Sequence, residues 1–179
     1  SIDNDCDNLI DDNDPSADTS AGSTFFADSD NDLYGDPAST IQACSRPSGY
    51  VTNSSDCDDT DNTLKPVDGD GDGVDRCNSD CDDADANTFP GAAESESDNT
   101  LCMTDADLDG YGDTSAPAGG SAGTDCDDSS DTTYPGRAYY EFGCMSDVDG
   151  DGYGDKNPVE GVTIGSDCDD SNENIYLGA

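Results

Sequence analysis

"DVDGDGYGD", residues 147–155, sets Asp147, Asp149, Asp151 and Asp155 at intervals of 2, 2 and 4, with Gly150, Gly152 and Gly154 between them. Four carboxylates this close repel one another, so something must make the cluster tolerable. The pattern also recurs. "CMSDVDGDGYGD" from Cys144 aligns with "CMTDADLDGYGD" from Cys102, a period of 42 residues. Each is followed by a small, polar stretch and then by "SDCDDSNENIYLG" or "TDCDDSSDTTYPG". Within both units the two cysteines stand 24 apart, Cys102 to Cys126 and Cys144 to Cys168. Self-similarity at a fixed period marks a repeat architecture.

Two looser copies precede these. "ADSDNDLYGD" from Ala27 leads through Cys44 to "SDCDDTDNTLKP", and "VDGDGDGVDRC" from Val67 leads to "SDCDDADANTFPG". The opening "IDNDCDNLIDDND" places Asp3, Asp5, Asp7 and Asp11 at the same spacing, with Asp14 three further on. The chain therefore divides into an N-terminal acidic loop and linker (1–26), repeat 1 (27–66), a short repeat 2 (67–101), repeat 3 (102–143) and repeat 4 (144–179).

Composition bounds the fold. Leu, Ile, Val and Phe number 21 in 179 residues, with no Trp and no His. That share lies below the roughly 20% under which a highly charged chain is expected to be disordered. Five basic residues face 44 acidic ones, for a net charge of −39, and such self-repulsion opposes compaction. The hydrophobic effect cannot order this chain alone; nine cysteines and bound cations are the two available substitutes. Phosphate recognition needs Lys and Arg, so nucleic acid is not an expected partner. No apolar run approaches the about 18 residues of a membrane span. No leader pattern opens the chain and acidic motif is under way at once, so the expectation is a processed product or a segment of something longer.

Gly, Asp, Asn and Pro punctuate the chain into turns, and no amphipathic helix is visible. "PSADTSAGST" and "TSAPAGGSAGT" read as flexible linkers; short strands are expected around "GYVTN" (49–53) and "GVTIG" (161–165). The expected fold is mostly irregular backbone with little β: a calcium- and disulfide-stabilised tandem-repeat rod without a conventional hydrophobic core.

Ca²⁺ takes 6–8 oxygen ligands, and alternating Asp can wrap a short loop round one ion while Gly permits the sharp turn. The expected ligands are Asp105, Asp107, Asp109 and Asp113 with the Tyr111 carbonyl, and Asp147, Asp149, Asp151 and Asp155 with the Tyr153 carbonyl. Asp28, Asp30, Asp32 and Asp36 form a looser loop with Leu33 where Gly is expected. Asp68, Asp70 and Asp72 form one that is a residue short, leaving open whether Asp75 supplies a fourth ligand. A helix-flanked calcium hand fits poorly, because it needs Glu at loop position twelve, where this chain has Ala116, Pro158 and Ser39. The loops must be completed from elsewhere, and the DCDD segments are the obvious source: Asp56, Asp58 and Asp59; Asp80, Asp82 and Asp83; Asp125, Asp127 and Asp128; Asp167, Asp169 and Asp170. Disulfides Cys144–Cys168 and Cys102–Cys126 would fold them back, and proximity suggests Cys44–Cys57 and Cys77–Cys81, although spacing alone does not fix connectivity. Cys6 is left over, to be paired with a cysteine absent from this sequence. Tyr111 and Tyr153 are expected to pack against the disulfides.

These residues, DxDxDGYGD followed by DCDD and YPG, with DNDCDxxIDD at the start, resemble a metal-binding motif repeated in secreted bacterial proteins, and the DxDxDG loops are similar to thrombospondin type 3 repeats. The resemblance implies an extracellular calcium-binding array wound round many Ca²⁺ ions and pinned by disulfides, and it implies no enzyme. Copper, also bound within the first family, is disfavoured by ligand chemistry, since His is absent and the only Met residues are Met103 and Met145. In that family YPGAxE runs on into CDGxDNDCD, so the tail "IYLGA" would join the head "SIDNDCD" almost in phase, an expectation of head-to-tail fibres or of one segment of a long array. The function expected is structural, as a rod or fibre module at the cell surface or in the matrix. A calcium-dependent adhesion module that binds a glycan or surface partner is the alternative, with a mineral- or ice-associated acidic surface further behind. A hydrolase is disfavoured, with no His, no serine nucleophile motif and little core to tune a carboxylate. The sequon "NSS" at Asn53 is a weak glycosylation signal.

Overall fold

The structure, a computed structural model, describes residues 22–179; Asp3, Asp5, Asp7, Asp11, Asp14 and Cys6 lie outside them. Most of the described chain is turn and irregular backbone, with short antiparallel strands, one 3-10 turn at Arg76–Asn78 and no α-helix. Two compact units divide it. The first runs to Val67 and takes in Asp75–Asn78; the second holds Asp68–Val74 and Ser79–Ala179.

In the first unit β1 (Ser23–Ala27) pairs with both β2 (Asp36–Ala43) and β3 (Tyr50–Val51), in the order β2-β1-β3. Phe25, Ala43 and Val51 are its buried apolar side chains. The acidic loop 28–35 is the connection between β1 and β2, so a hairpin presents it. In the second unit the strands shrink to three residues. Two ribbons form, β4 (Thr88–Pro90) with β5 (Cys102–Thr104) and β6 (Thr133–Pro135) with β7 (Cys144–Ser146). Their registers match: Thr88 opposes Thr104 as Thr133 opposes Ser146, and Pro90 opposes Cys102 as Pro135 opposes Cys144. An acidic loop leaves the end of β5 and of β7.

Burial shows no conventional core among the described residues. Among the described residues nine apolar side chains are buried, and eight aspartates are buried beside them: Asp28, Asp32, Asp56, Asp80, Asp105, Asp125, Asp147 and Asp167. Aspartate is almost never fully buried unless paired, so the interior of this protein is its acidic loops.

Three sequence expectations need correction. A strand forms at Tyr50–Val51 but none at 161–165; the isolated bridge nearby joins Asp155 to Asp167, just beyond that stretch. The stretch 114–124 is no flexible linker, because Ser121 donates to the Cys102 carbonyl at 2.8 Å and Gly123 to that of Asp113 at 2.7 Å. The disulfides differ throughout. They join Cys57 to Cys77, Cys81 to Cys102 and Cys126 to Cys144. Cys44 is disulfide-bonded, though not to Cys57, and Cys168 is an exposed free thiol. Each of these bridges runs from a DCDD cysteine forward to the next cysteine. The physical reason lies in the backbone. The DCDD segment is returned to its own loop by main-chain hydrogen bonds, Asp125 N–H to Gly112 and Thr114 N–H to Asp125 at 2.8 and 3.2 Å, and Asp167 N–H to Gly154 and Lys156 N–H to Asp167, both at 2.8 Å. No disulfide is needed there, and the cysteines are free to staple each repeat to its successor. Closing loops of 18 to 21 residues stabilises by about 3 kcal/mol each through the unfolded chain.

Candidate metal centres

Four copies of one arrangement are present in the described residues, built on the loops at Asp28, Asp68, Asp105 and Asp147. The first aspartate of each shapes its own loop. Asp105 accepts the Leu108 and Gly110 amides at 2.8 and 3.0 Å, and Asp147 those of Gly150 and Gly152 at 2.7 and 3.1 Å. Asp68 holds Gly71 and Gly73 in the same way, and Asp28 accepts from Asp32. Wrapping the chain this tightly demands left-handed backbone at the fourth and sixth positions. Glycine supplies it at Gly71 and Gly73, and at Gly150 and Gly152; Asn31, Leu33 and Leu108 adopt it despite their side chains, with φ of 65°, 81° and 66°.

The second and third aspartates then converge with a residue from far along the chain. In each, one carboxylate oxygen is tied to an amide two residues on: Asp107 to Asp109 N–H and Asp109 to Tyr111 N–H, with the same bonds from Asp30 and Asp32, Asp70 and Asp72, and Asp149 and Asp151. The leading aspartate of the DCDD segment does likewise: Asp56, Asp80, Asp125 and Asp167 accept the amides of Asp58, Asp82, Asp127 and Asp169. Their other oxygens are buried and have no hydrogen-bond partner. Twelve such Oδ2 atoms exist among the described residues, and they fall into four triplets: Asp30, Asp32 and Asp56; Asp70, Asp72 and Asp80; Asp107, Asp109 and Asp125; Asp149, Asp151 and Asp167. Candidate ligand atoms of Asp28, Asp30 and Asp32, of Asp30, Asp56 and Asp59, of Asp68, Asp70 and Asp72, and of Asp105, Asp107 and Asp109 lie within 4.8 Å of one another.

Leaving a buried carboxylate oxygen unpartnered costs more than the about 1–3 kcal/mol of a neutral group, and like charges at this range add to it. Burial first, and neighbouring carboxylates after it, push Asp125 up to about 7 and Asp109 and Asp128 up to about 6. Burial also raises Asp30, Asp56, Asp72, Asp80, Asp107, Asp151 and Asp170. These oxygen-only groups could hold a metal ion. The donor set is uniformly hard, which suits Mg²⁺, Ca²⁺ or Mn²⁺ and not a soft metal.

The remaining expected ligands fall into two sets. The last aspartate of each DCDD segment closes its site: Asp59, Asp83, Asp128 and Asp170 accept the amide of the loop's second residue, at Ser29, Gly69, Ala106 and Val148. Asp113 is the foremost charge acting on Asp128, and Asp155 on Asp170; Asp36 opposes Ala27 where β2 begins. The third residue, in contrast, is not drawn into the triplets. Asp58, Asp82 and Asp169 are exposed and Asp127 is half-buried. Asp58, Asp127 and Asp169 accept from the nearby hydroxyls of Thr60, Ser129 and Ser171. The Tyr111 and Tyr153 rings stack on Tyr134 and Tyr176, with centroids 5.2 and 5.0 Å apart.

Sequence reasoning missed three residues. Glu141 accepts the amides of Gly154 and Ser166, at 2.7 and 3.2 Å. Glu96 accepts those of Gly112 and Thr124, and the Thr124 hydroxyl. Asn53, noticed only as a sequon, accepts those of Gly35 and Ser55 and donates to the Leu33 carbonyl at 2.8 Å. A signal did exist for the two glutamates: each lies five residues after the glycine of a Pro-Gly pair, Gly91 and Gly136.

Compared with family models, curated proteins and solved structures, the chain matches none. The disulfides fit an oxidising compartment, and among the described residues no helix is long and apolar enough to cross a membrane.

Proposed function

We propose that this chain is an extracellular calcium-binding structural protein, a rod or fibre module in the manner of thrombospondin type 3 repeats, whose mechanism is ion-ordered folding. One observation carries the reading: among the described residues, the twelve unpartnered buried side-chain oxygens all come from loop and DCDD aspartates that group into the four triplets. A hard divalent cation at each triplet converts repulsion into attraction and supplies the missing partner for all three oxygens. Ca²⁺ is favoured over Mg²⁺ because it tolerates irregular sets of 6–8 oxygens, whereas Mg²⁺ demands near-ideal octahedra and keeps its waters. With a net charge of −39, neutralisation is also the main term that lets the chain compact. Extracellular sites of this kind bind at about 10⁻⁴–10⁻³ M, within reach of millimolar Ca²⁺ outside cells. Because so little apolar surface is buried, binding free energy is folding free energy, and no enzymatic role is assigned.

The deciding experiment is small-angle scattering during a Ca²⁺ titration of chelated, disulfide-intact protein. The expected result is contraction from a coil to a defined particle between micromolar and millimolar Ca²⁺. Dimensions that ignore Ca²⁺ would remove the reading, and growth of the particle with protein concentration would reveal fibres.

A second reading, glycan adhesion, has one observation in its favour. Tyr140, Tyr153 and Tyr176 line a cleft of about 300 Å³ with Asp151 and Glu173, and flat aromatic surfaces beside carboxylates suit a sugar. Calcium-dependent retention on a glycan array, lost in Tyr140→Ala, would establish it.

A further inference from the structure

The two glutamates missed by sequence reasoning share a placement that the candidate sites do not themselves require. Each sits on the turn that closes the preceding repeat. After β6 the chain turns at Gly136, buries Ala138 and directs the Tyr140 amide onto the Gly152 carbonyl at 3.0 Å. After β4 it turns at Gly91, buries Ala93 and directs the Ser95 amide onto the Gly110 carbonyl at 2.7 Å. One residue further on, Glu141 and Glu96 reach the next repeat's loop. One carboxylate oxygen of each bridges two amides: that of the loop's eighth residue, Gly154 or Gly112, and that of the residue just before the DCDD segment, Ser166 or Thr124. These are the two backbone strands whose separation sets the distance between the loop aspartates and Asp167 or Asp125.

In the first unit the same two amides, of Gly35 and Ser55, are bridged by Asn53 Oδ1. A neutral amide oxygen from within the repeat thus does what a carboxylate from the previous repeat does in repeats 3 and 4. The common element is an acceptor atom at one place, and not a charge.

We propose that Glu96 and Glu141 are positioning residues for the cation sites of repeats 3 and 4, each clamping loop to DCDD segment from the repeat before. The clamp rests on the calcium reading above and deepens it: a site in this array is assembled partly by its upstream neighbour. Outer partners that orient ligands typically change metal affinity by about 10–100-fold when removed.

The test is a Ca²⁺ titration of the full, disulfide-intact chain followed by site-resolved amide NMR, reading Gly150 and Gly152 for repeat 4 and Gly110 and Gly112 for repeat 3. Glu141→Ala is expected to raise the repeat 4 midpoint at least tenfold while leaving repeat 3 in place, and Glu96→Ala to do the reverse. Glu141→Gln, which keeps the acceptor oxygen and removes the charge, is expected to restore most of the affinity. Unchanged midpoints in both alanine variants overturn the proposal. So does an equal shift in Glu141→Ala and Glu141→Gln, which would make the effect one of charge. Because the chain is a coil without ions, every midpoint is read as recovery of the native spectrum on adding Ca²⁺, so a variant that folds only with ions still gives one. A wild-type chain whose glycine amides ignore Ca²⁺ overturns the calcium reading itself, and this inference with it.

Discussion

The site of repeat 1 and the site of repeat 4 carry the same triplet of unpartnered oxygens on different supports. In repeat 1 the loop is the turn of a hairpin on a three-stranded sheet, with Phe25 and Val51 buried beneath it. In repeat 4 it hangs from a three-residue strand, with Met145 buried on that strand. Yet Asp56 is held to the Gly35 carbonyl at 3.2 Å as Asp167 is held to that of Gly154 at 2.8 Å. The difference teaches that the carboxylate pattern, and not a particular sheet, defines the centre. In repeats 1, 3 and 4 the shared feature of the support is that it brings the DCDD segment alongside the eighth loop residue.

The largest effect expected from disturbing this comparison comes from that close approach. A Cβ on Gly165 would collide with the Gly154 backbone, and main-chain atoms cannot yield as a side chain can. In repeat 1 the position two before the leading aspartate is Ser54, exposed to solvent. Gly165→Ala should therefore cost about 3 kcal/mol and abolish Ca²⁺ binding in repeat 4. Ser54→Ala should leave repeat 1 within about 0.5 kcal/mol of wild type. Calorimetry together with the site-resolved titration would check both.

Protonation gives a smaller contrast, centred on repeat 3. Without ions, the folded carboxyls of Asp125, Asp109 and Asp128 titrate near 7, 6 and 6, above the about 3.9 of an unfolded Asp. The folded state binds the extra protons, so their contribution to stability is complete below about pH 4 and is lost as pH rises through 6 and 7. Chelated, disulfide-intact protein should therefore be a coil near about pH 8 and gain protection from hydrogen exchange in repeat 3 as pH falls towards about 5. In Ca²⁺ the trend should reverse, because the cation competes with those protons and binds more tightly as pH rises. A Ca²⁺ affinity independent of pH across this range would break the assignment of Asp125 to the site.

Leu33 and Leu108 provide the smallest change. Both hold left-handed backbone where other loops use glycine, and both are exposed. That conformation costs a side-chain-bearing residue roughly 1–2 kcal/mol, against roughly 0.5–1 kcal/mol of added unfolded-state freedom for glycine. Leu33→Gly should raise the stability of repeat 1 by about 0.5–1 kcal/mol, seen as a higher urea midpoint. A loss instead would mean that the leucine side chain itself supports the loop.

Much of this was legible in the sequence, for a definite reason. The spacing of Asp147, Asp149 and Asp151 acts through hydrogen bonds two to five residues long, and such local chemistry is written in the chain. The scarcity of apolar residues likewise determined that no ordinary core could form, and the 42-residue period determined that sites would recur. The DCDD segments could be named as the partners that meet the loops, because a triad of loop carboxylates is incomplete by itself. What tertiary structure alone decided was which cysteines meet, which aspartate of each DCDD segment turns inward, and which outside residue clamps the site. Cys126 bonds to Cys144, while backbone hydrogen bonds return Asp125 to its own loop without a disulfide. Asp125 faces the site while Asp127 caps a local turn, because the bridge to Asp113 fixes the pleat. Glu141 reaches Gly154 because the ribbon of β6 and β7 lays the previous repeat's turn across the loop. Each of these depends on segments distant in sequence settling side by side, and neither composition nor spacing records that proximity.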